Sequence, residues 1–100
     1  MRSSRGGQLR LIRSFRGSGT LLWGRSATRP VSYSIDIYAQ GSFLTADGDV
    51  RGRLDDLVGK RPANLRLRLD KGEEARVLFG DISADTASIE IVDPGSLPTD

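Results

Sequence analysis

The sequence predicts an all-β domain: a small barrel of about six short strands with one short helix near residues 54–58. Apolar and charged residues alternate without a break from Leu65 to Leu69, the period-2 pattern of a strand with one buried face. The same alternation recurs at residues 31–39. Turn-forming residues separate the strands at intervals of about a dozen residues or fewer, which is typical of a barrel or sandwich.

The N-terminal 17 residues are predicted to form a basic, disordered arm, because they begin with a run rich in Arg, Ser and Gly. Within this arm, Gln8–Arg16 also fits an edge strand or an amphipathic helix. Gly17-Ser18-Gly19 is interpreted as a flexible joint, and the barrel is expected to span residues 18–93. An acid-poor N-terminus that bears Arg and Ser also resembles an organelle transit peptide.

Three strands are predicted in the first half of the domain. Thr20–Trp23 is too short for a helix, so it is interpreted as a strand, and Val31–Ala39 is the second. Asp47-Gly48 is a dipeptide favoured in tight type I′ turns. Residues 42–46 and 50–53 are therefore predicted to form a short hairpin, or bent third strand, around it.

One short helix and three further strands follow. Leu54–Val58 can form one or two helical turns, which Gly59 and Pro62 would end. The main hairpin comes next, with predicted strands at residues 65–69 and 75–79. Residues 87–91 form the last strand, followed by a tail at residues 94–100.

The register of the main hairpin follows from its loop. A three-residue loop, Asp70-Lys71-Gly72, places Gly72 in the left-handed conformation that glycine adopts readily. A two-residue loop would instead set Leu67 opposite Arg76 and bring charge to the core face. The longer loop is therefore predicted, with these opposed pairs: Leu67–Ala75, Leu65–Val77 and Arg68–Glu74.

The predicted order of elements matches two known barrel types. A single short helix between the third and fourth strands is the arrangement of an OB-like barrel, although this chain has one strand too many. An SH3-like barrel is the close alternative. Neither comparison includes a family-specific motif, so the fold alone predicts no function.

The composition excludes several chemistries. The 100 residues include no histidine and no cysteine, which removes imidazole catalysis, thiol nucleophiles and the commonest zinc ligands. Asp47-Gly48-Asp49 resembles the start of a calcium loop, but Arg51 and Val58 stand at ligand positions five and twelve. We therefore expect no enzyme activity, metal or cofactor. The lack of cysteine fits a cytoplasmic protein, and no apolar run approaches the ~20 residues of a membrane span.

Charge is distributed unevenly along the chain. Residues 1–35 contain seven arginines and no acid, whereas residues 36–100 contain thirteen acidic and eight basic residues. A basic arm on an acidic body predicts contacts with an anionic partner. The candidate contacts in the arm are Arg2, Arg5, Arg10, Arg13 and Arg16.

A second set of candidate contacts is predicted on the barrel face. Tyr38 falls on the outer face of its strand, where it could stack a single-stranded base. Arginines of the main hairpin would flank it. The candidate barrel-face contacts are Tyr38, Arg66, Arg68 and Arg76.

Two short segments resemble the cyclic-di-GMP signature of PilZ domains. Arg25 and Arg29 match its R-x-x-x-R part, and Asp81-Ile82-Ser83 matches the start of its D/N-x-S-x-x-G turn, with Thr86 in place of the final glycine. The resemblance implies that the two arginines would clamp phosphates bidentately.

Two main functions are consistent with these patterns. The first is a non-catalytic binding or scaffold module that binds another protein through an exposed strand or barrel face. The second is a nucleic-acid-binding accessory protein that uses the arm and a barrel face, although the acidic body argues against it. Binding of nucleic acid through the arm would weaken steeply with salt, which separates the two. PilZ-like binding of cyclic-di-GMP is a remote third possibility.

Overall fold

A computed structural model describes residues 9–97. Within this range, six antiparallel strands close into a barrel in the spatial order β1-β2-β3-β6-β5-β4. The predicted all-β barrel is thus confirmed. The strands are β1 (Arg10–Trp23), β2 (Ala27–Gln40), β3 (Phe43–Arg51), β4 (Arg66–Arg68), β5 (Glu74–Ile82) and β6 (Thr86–Ile91), with 3-10 turns at Asp55–Leu57 and Pro94–Ser96.

The predicted helix between the third and fourth strands is a single 3-10 turn, Asp55–Leu57. Leu57 in this turn and Leu54 just before it are buried in the core, so the turn covers one end of the barrel. The described ring has one strand more than the five of an OB barrel. The likeness to OB and SH3 barrels is therefore one of general architecture.

The core follows from the alternation that the sequence shows. Every second residue of β2 from Val31 to Ile37 is buried, and β4, β5 and β6 contribute their inward-facing residues in the same way. Each such side chain contributes roughly 1.5–3 kcal/mol relative to full exposure. Leu97 is also buried in this cluster, because its apolar side chain packs into the core after β6. The packed part of the chain thus continues into the predicted tail.

The register of the main hairpin is the predicted one. Leu67 pairs with Ala75, and Arg68 pairs with Glu74 through a contact of 2.9 Å. The backbone N–H of Val77 donates to the carbonyl of Leu65, which extends the same register. Gly72 has a φ of +99°, as the three-residue loop requires.

The predicted hairpin around Asp47-Gly48 is wrong, since β3 runs through both residues without turning. Gly48 pairs with Ile35 of β2 and with Ile89 of β6. A Cβ atom at this position would collide with the carbonyl oxygen of Ser34. The glycine therefore allows close approach of two strands, where the Asp-Gly pattern had indicated a turn.

Gly17-Ser18-Gly19 is also not a joint, because it lies in the middle of β1. The Tyr33 ring packs over this segment: a Cβ atom at Gly17 would lie 2.9 Å from its hydroxyl, and one at Gly19 would lie 3.1 Å from its Cε2. The Tyr33 hydroxyl accepts a hydrogen bond of 3.2 Å from the backbone N–H of Asp70. Burial of this side chain raises the pKa of Tyr33 above its usual value of 10.0.

Strands β1 and β2 form a hairpin that extends beyond the barrel. Each has 14 residues, and 14 residues at about 3.3 Å each reach about 46 Å. This matches the longest dimension of the described structure, 48 Å. β4 covers β1 only at Thr20–Leu22, and β6 pairs with β3 only from Asp47 onward. Residues 10–16, 34–40 and 43–46 thus continue as a three-stranded sheet, here called the sheet extension.

The sheet extension includes part of the predicted arm. Residues 10–17 belong to β1. Of the strand and helix alternatives for Gln8–Arg16, the structure therefore shows the strand, from Arg10 onward. Residues 1–8, with Arg2 and Arg5, lie outside the described residues.

Candidate functional site

The first seven residues of β1 form an edge of the sheet. β1 pairs with β2 along its whole length, but on its other side the described chain places only β4, at Thr20–Leu22. Residues 10–16 therefore have a strand on one side only, and they are called the open β1 edge. Backbone groups along such an edge can pair with a strand from another chain.

A β-bulge lies in this edge. Ile12 is the additional residue between the pairs Leu11–Tyr38 and Arg13–Ile37. Leu11 is 53% exposed and Ile12 is 44% exposed, so the edge presents two consecutive apolar side chains to solvent. Bulges are common at sheet edges, where they redirect side chains. The bulge interrupts the alternation that holds in the barrel, which is why the segment fitted two periodicities.

Three of the predicted anionic contacts lie along the same edge. Arg10, Arg13 and Arg16 form no ion pair with any described residue. The Arg13 guanidinium lies 5.3 Å from the centre of the Phe15 ring, and its Nε is buried without a hydrogen-bond partner. The edge thus combines open backbone groups, exposed apolar side chains and cations that the described chain leaves unpaired.

The outer face of the sheet extension carries two aromatic residues. Tyr38 pairs with Leu11 and with Thr45, and Phe43 pairs with Gln40 in the adjacent row. Phe43 is 75% exposed. The sequence did not single out Phe43, because a strand of unknown register gives no face assignment. Its only signal was a large apolar residue directly after the turn residues Gly41 and Ser42.

Tyr38 and the arginines of the main hairpin are not brought together. Arg68 pairs with Thr20, which pairs with Pro30 of β2. Tyr38 is eight residues further along β2, roughly 26 Å at about 3.3 Å per residue. The predicted face with Tyr38 between arginines therefore divides into two separate surfaces.

Arg68 and Arg66 are already in contact with an acid. Both the Nε and the Nη2 of Arg68 donate to Glu74 Oε2, at 3.1 Å and 2.9 Å. The Arg66 Nη1 lies 3.8 Å from Glu74 Oε1. Arg76 is directly opposite Arg66 and belongs to a groove described below.

Arg29, which belongs to the segment that resembles a PilZ signature, helps to close the end of the barrel at the Asp55–Leu57 turn. Arg29 donates to both carboxylate oxygens of Asp56, at 2.9 Å and 3.0 Å, and to the carbonyl of Arg53. Its guanidinium also lies 5.6 Å from the Trp23 ring. The hydrogen bond from Arg29 holds the pKa of Asp56 below its usual value of 3.8. Arg29 is thus bound within the fold, whereas Arg25 is exposed in the β1–β2 turn.

The second segment that resembles the PilZ signature, Asp81-Ile82-Ser83, leads into a tight turn. Ser83 donates from its backbone N–H and from its hydroxyl to the carbonyl of Thr86, at 2.8 Å and 3.1 Å. These bonds close the β5–β6 connection. Among residues 9–97 there is no group of three acidic side chains placed to hold a metal ion, and no helix is long and apolar enough to cross a membrane.

Comparison with known proteins yields no relative: no family model, no curated protein and no solved structure matches the chain.

Proposed function

We propose that this chain is a non-catalytic protein-interaction module that binds an extended segment of a partner as an added strand on the open β1 edge. The observation that supports this most directly is a seven-residue edge with a strand on one side only and exposed apolar side chains along it. In this mode of recognition, backbone hydrogen bonds supply affinity, and alternate side chains supply specificity. The proposal includes a cytoplasmic location, in keeping with the absence of cysteine.

Charge defines the kind of partner. Arg10, Arg13 and Arg16 lie along the edge and form no ion pair with a residue of the described range 9–97, and residues 10–16 include no acid. Pairing of two β1 edges in a homodimer would bring arginines together, and like charges on adjacent strands are destabilising. We therefore expect the bound segment to carry Asp or Glu, alternating with apolar side chains that cover Leu11 and Ile12.

A peptide selection tests this proposal. The full chain would be used to select from a library of ten-residue peptides, and hydrogen exchange of backbone amides would be measured with the selected peptides bound. The expected peptides are acidic, and those amides of residues 10–16 that face away from β2 become protected when they bind. Protection elsewhere, with none along this edge, would contradict the proposal.

Matched charge-reversal variants separate the edge from charge in general. In one variant Arg10, Arg13 and Arg16 become Glu, and in the control Arg25, Arg51 and Arg53 become Glu, which changes the net charge equally. The first variant should lose the acidic peptides, and the control should retain them. Equal losses would show that only overall charge matters.

A nucleic-acid-binding function is the second candidate, and one observation favours it. Tyr38 and Phe43 are diagonal neighbours on one face, a spacing of roughly 7–8 Å that suits two stacked bases. Asp36 and Asp47 pair on the same face one row away, and their carboxylates would repel phosphates. Binding of random single-stranded nucleic acid at two salt concentrations tests this candidate, because phosphate contacts weaken steeply with salt. Tight, salt-sensitive binding that requires both aromatic residues would favour it over a protein partner.

A further inference from the structure

A cationic groove lies on the outside of the barrel, away from the open β1 edge. It is open to solvent and has a volume of about 770 Å³ between residues 59–64 and strand β5. The charged residues that line it are Lys60, Arg61, Arg76 and Asp81. Leu78 and Val92 add apolar surface, and they are 57% and 44% exposed. Three cations against one acid give the groove, here called the β5 groove, a positive charge.

One cation of the groove, Arg76, lies beside a further cation of β4 at a cost in stability. Arg76 is directly opposite Arg66 on the two paired strands, and like charges in that arrangement are destabilising. Arg66 is partly neutralised by Glu74, and its Nε donates to the carbonyl of Asn64. Within the described residues, Lys60, Arg61 and Arg76 form no ion pair. An anionic ligand would reduce the repulsion around Arg76, which the described residues compensate only through Glu74 beside Arg66.

The backbone of β5 adds a hydrogen-bond donor to the groove. The backbone N–H of Val92 donates to the carbonyl of Arg76, so the backbone polar groups of Arg76 face the side of β6. In an antiparallel strand these groups face the same neighbour only at every second residue. Phe79 is three residues after Arg76, so its N–H faces away from β6. β4 begins only at Arg66, opposite Arg76, so no described strand pairs with Phe79 on that side. Its N–H is therefore directed toward the β5 groove.

We propose that the β5 groove binds a small organic phosphate. The phosphoryl group would lie between Arg76 and the Lys60–Arg61 pair, with a hydrogen bond from the N–H of Phe79. Arginine binds phosphate oxygens bidentately, and a doubly charged anion compensates several cations at once. The organic part would cover Leu78 and Val92. This site is independent of the open β1 edge, since it uses different strands and different residues.

Titration of the full chain at low salt, followed by backbone amide NMR, tests the site. The probes are phenyl phosphate, inorganic phosphate and phenylacetate. Saturable shifts are expected at residues 59–61 and 76–82, with phenyl phosphate binding most tightly. Shifts centred on residues 10–16, or equal binding of phenylacetate and phenyl phosphate, would overturn the proposal.

Three single substitutions of exposed residues separate the parts of the site. Arg76→Gln should weaken both phosphates by about tenfold or more, as expected for one lost charge-assisted hydrogen bond. Leu78→Ala should weaken phenyl phosphate and leave inorganic phosphate unchanged. Arg51→Gln removes the same charge on another face and should change neither. If Arg51→Gln acts as strongly as Arg76→Gln, the binding is nonspecific and no phosphate site exists here.

Discussion

The barrel and the sheet extension share β1 and β2 but use apolar residues differently. In the barrel, the inward residues of these strands, such as Leu21 and Val31, are buried. In the sheet extension, Leu11, Ile12 and Phe43 remain exposed. Buried side chains of both regions stabilise the fold, whereas these three exposed ones contribute little to it and are available to a partner.

The difference arises from which neighbours each region has. At Thr20–Leu22, β1 has a strand on both sides, and opposing side chains can form a closed core. At residues 10–16 it has β2 alone, so its other edge is open, although inner-face residues of the sheet extension such as Ile37 are buried. A sheet with one covered face and an open edge can present its remaining surface to another molecule.

The largest expected effect contrasts a core leucine with a leucine of the edge. Leu67 is fully buried, so Leu67→Ala should lower the free energy of unfolding by about 2–5 kcal/mol. Leu11 is half-exposed, so Leu11→Ala should change it by no more than about 0.5 kcal/mol. Urea denaturation measures both. A loss of more than about 2 kcal/mol for Leu11→Ala would mean that the sheet extension is part of the stabilising core.

The next effect concerns the close approach between β1 and β4. Gly19→Ala would drive a Cβ atom into the carbonyl of Arg68 and against the Tyr33 ring. Such overpacking should cost about 1–3 kcal/mol of unfolding free energy in denaturation. Gly95→Ala is the control, because a Cβ there meets nothing closer than 3.7 Å. Equal stability of the two variants would show that β1 moves away from β4 without penalty.

The strands of the barrel could be predicted where alternation was regular. Leu65–Leu69 and Val31–Ile37 alternate strictly, because one face of each is buried along its whole length. The register of the main hairpin followed from the same rule, since a shift by one residue would bury Arg76. The local sequence pattern was sufficient where the burial of a side chain depends only on which face of its own strand it occupies.

The glycines and the sheet extension could not be predicted in this way. The sequence predicted Gly19 in a flexible joint and Gly48 in a turn. In the structure both allow two strands to approach closely, and this approach depends on residues distant in sequence, such as Arg68 and Ser34. Long-range pairing also decides that Phe43 is exposed on the face that carries Tyr38, and that Arg76 lies near residues 59–64. These are the features on which the candidate sites depend. The arginines themselves were identified from composition, but their grouping was not.

A smaller effect is expected from the hydroxyl that connects the inner face of β2 to the main hairpin. Tyr33→Phe removes the acceptor for the Asp70 N–H and should lower stability by about 1 kcal/mol. Tyr38→Phe, in the sheet extension, is the matched control and should have almost no effect. Thermal unfolding of both variants measures the difference. If Tyr38→Phe proved the more destabilising, the assignment of Tyr33 to the stabilising region would be wrong.

The smallest effect depends on pH and concerns the end of the barrel that Arg29 and Asp56 close. Since the folded pKa of Asp56 lies below 3.8, its ion pair stabilises the fold above that pH, and the contribution is lost as the pH falls further. Asp56→Asn should therefore lower the melting temperature near neutral pH, and the difference from wild type should shrink at an acidic pH below 3.8. Asp85→Asn, which removes an exposed acid that forms no ion pair within residues 9–97, should leave the melting temperature close to wild type at both pH values. A difference for Asp56→Asn that persists in acid would mean that Arg29 stabilises this end through Trp23 and the Arg53 carbonyl alone.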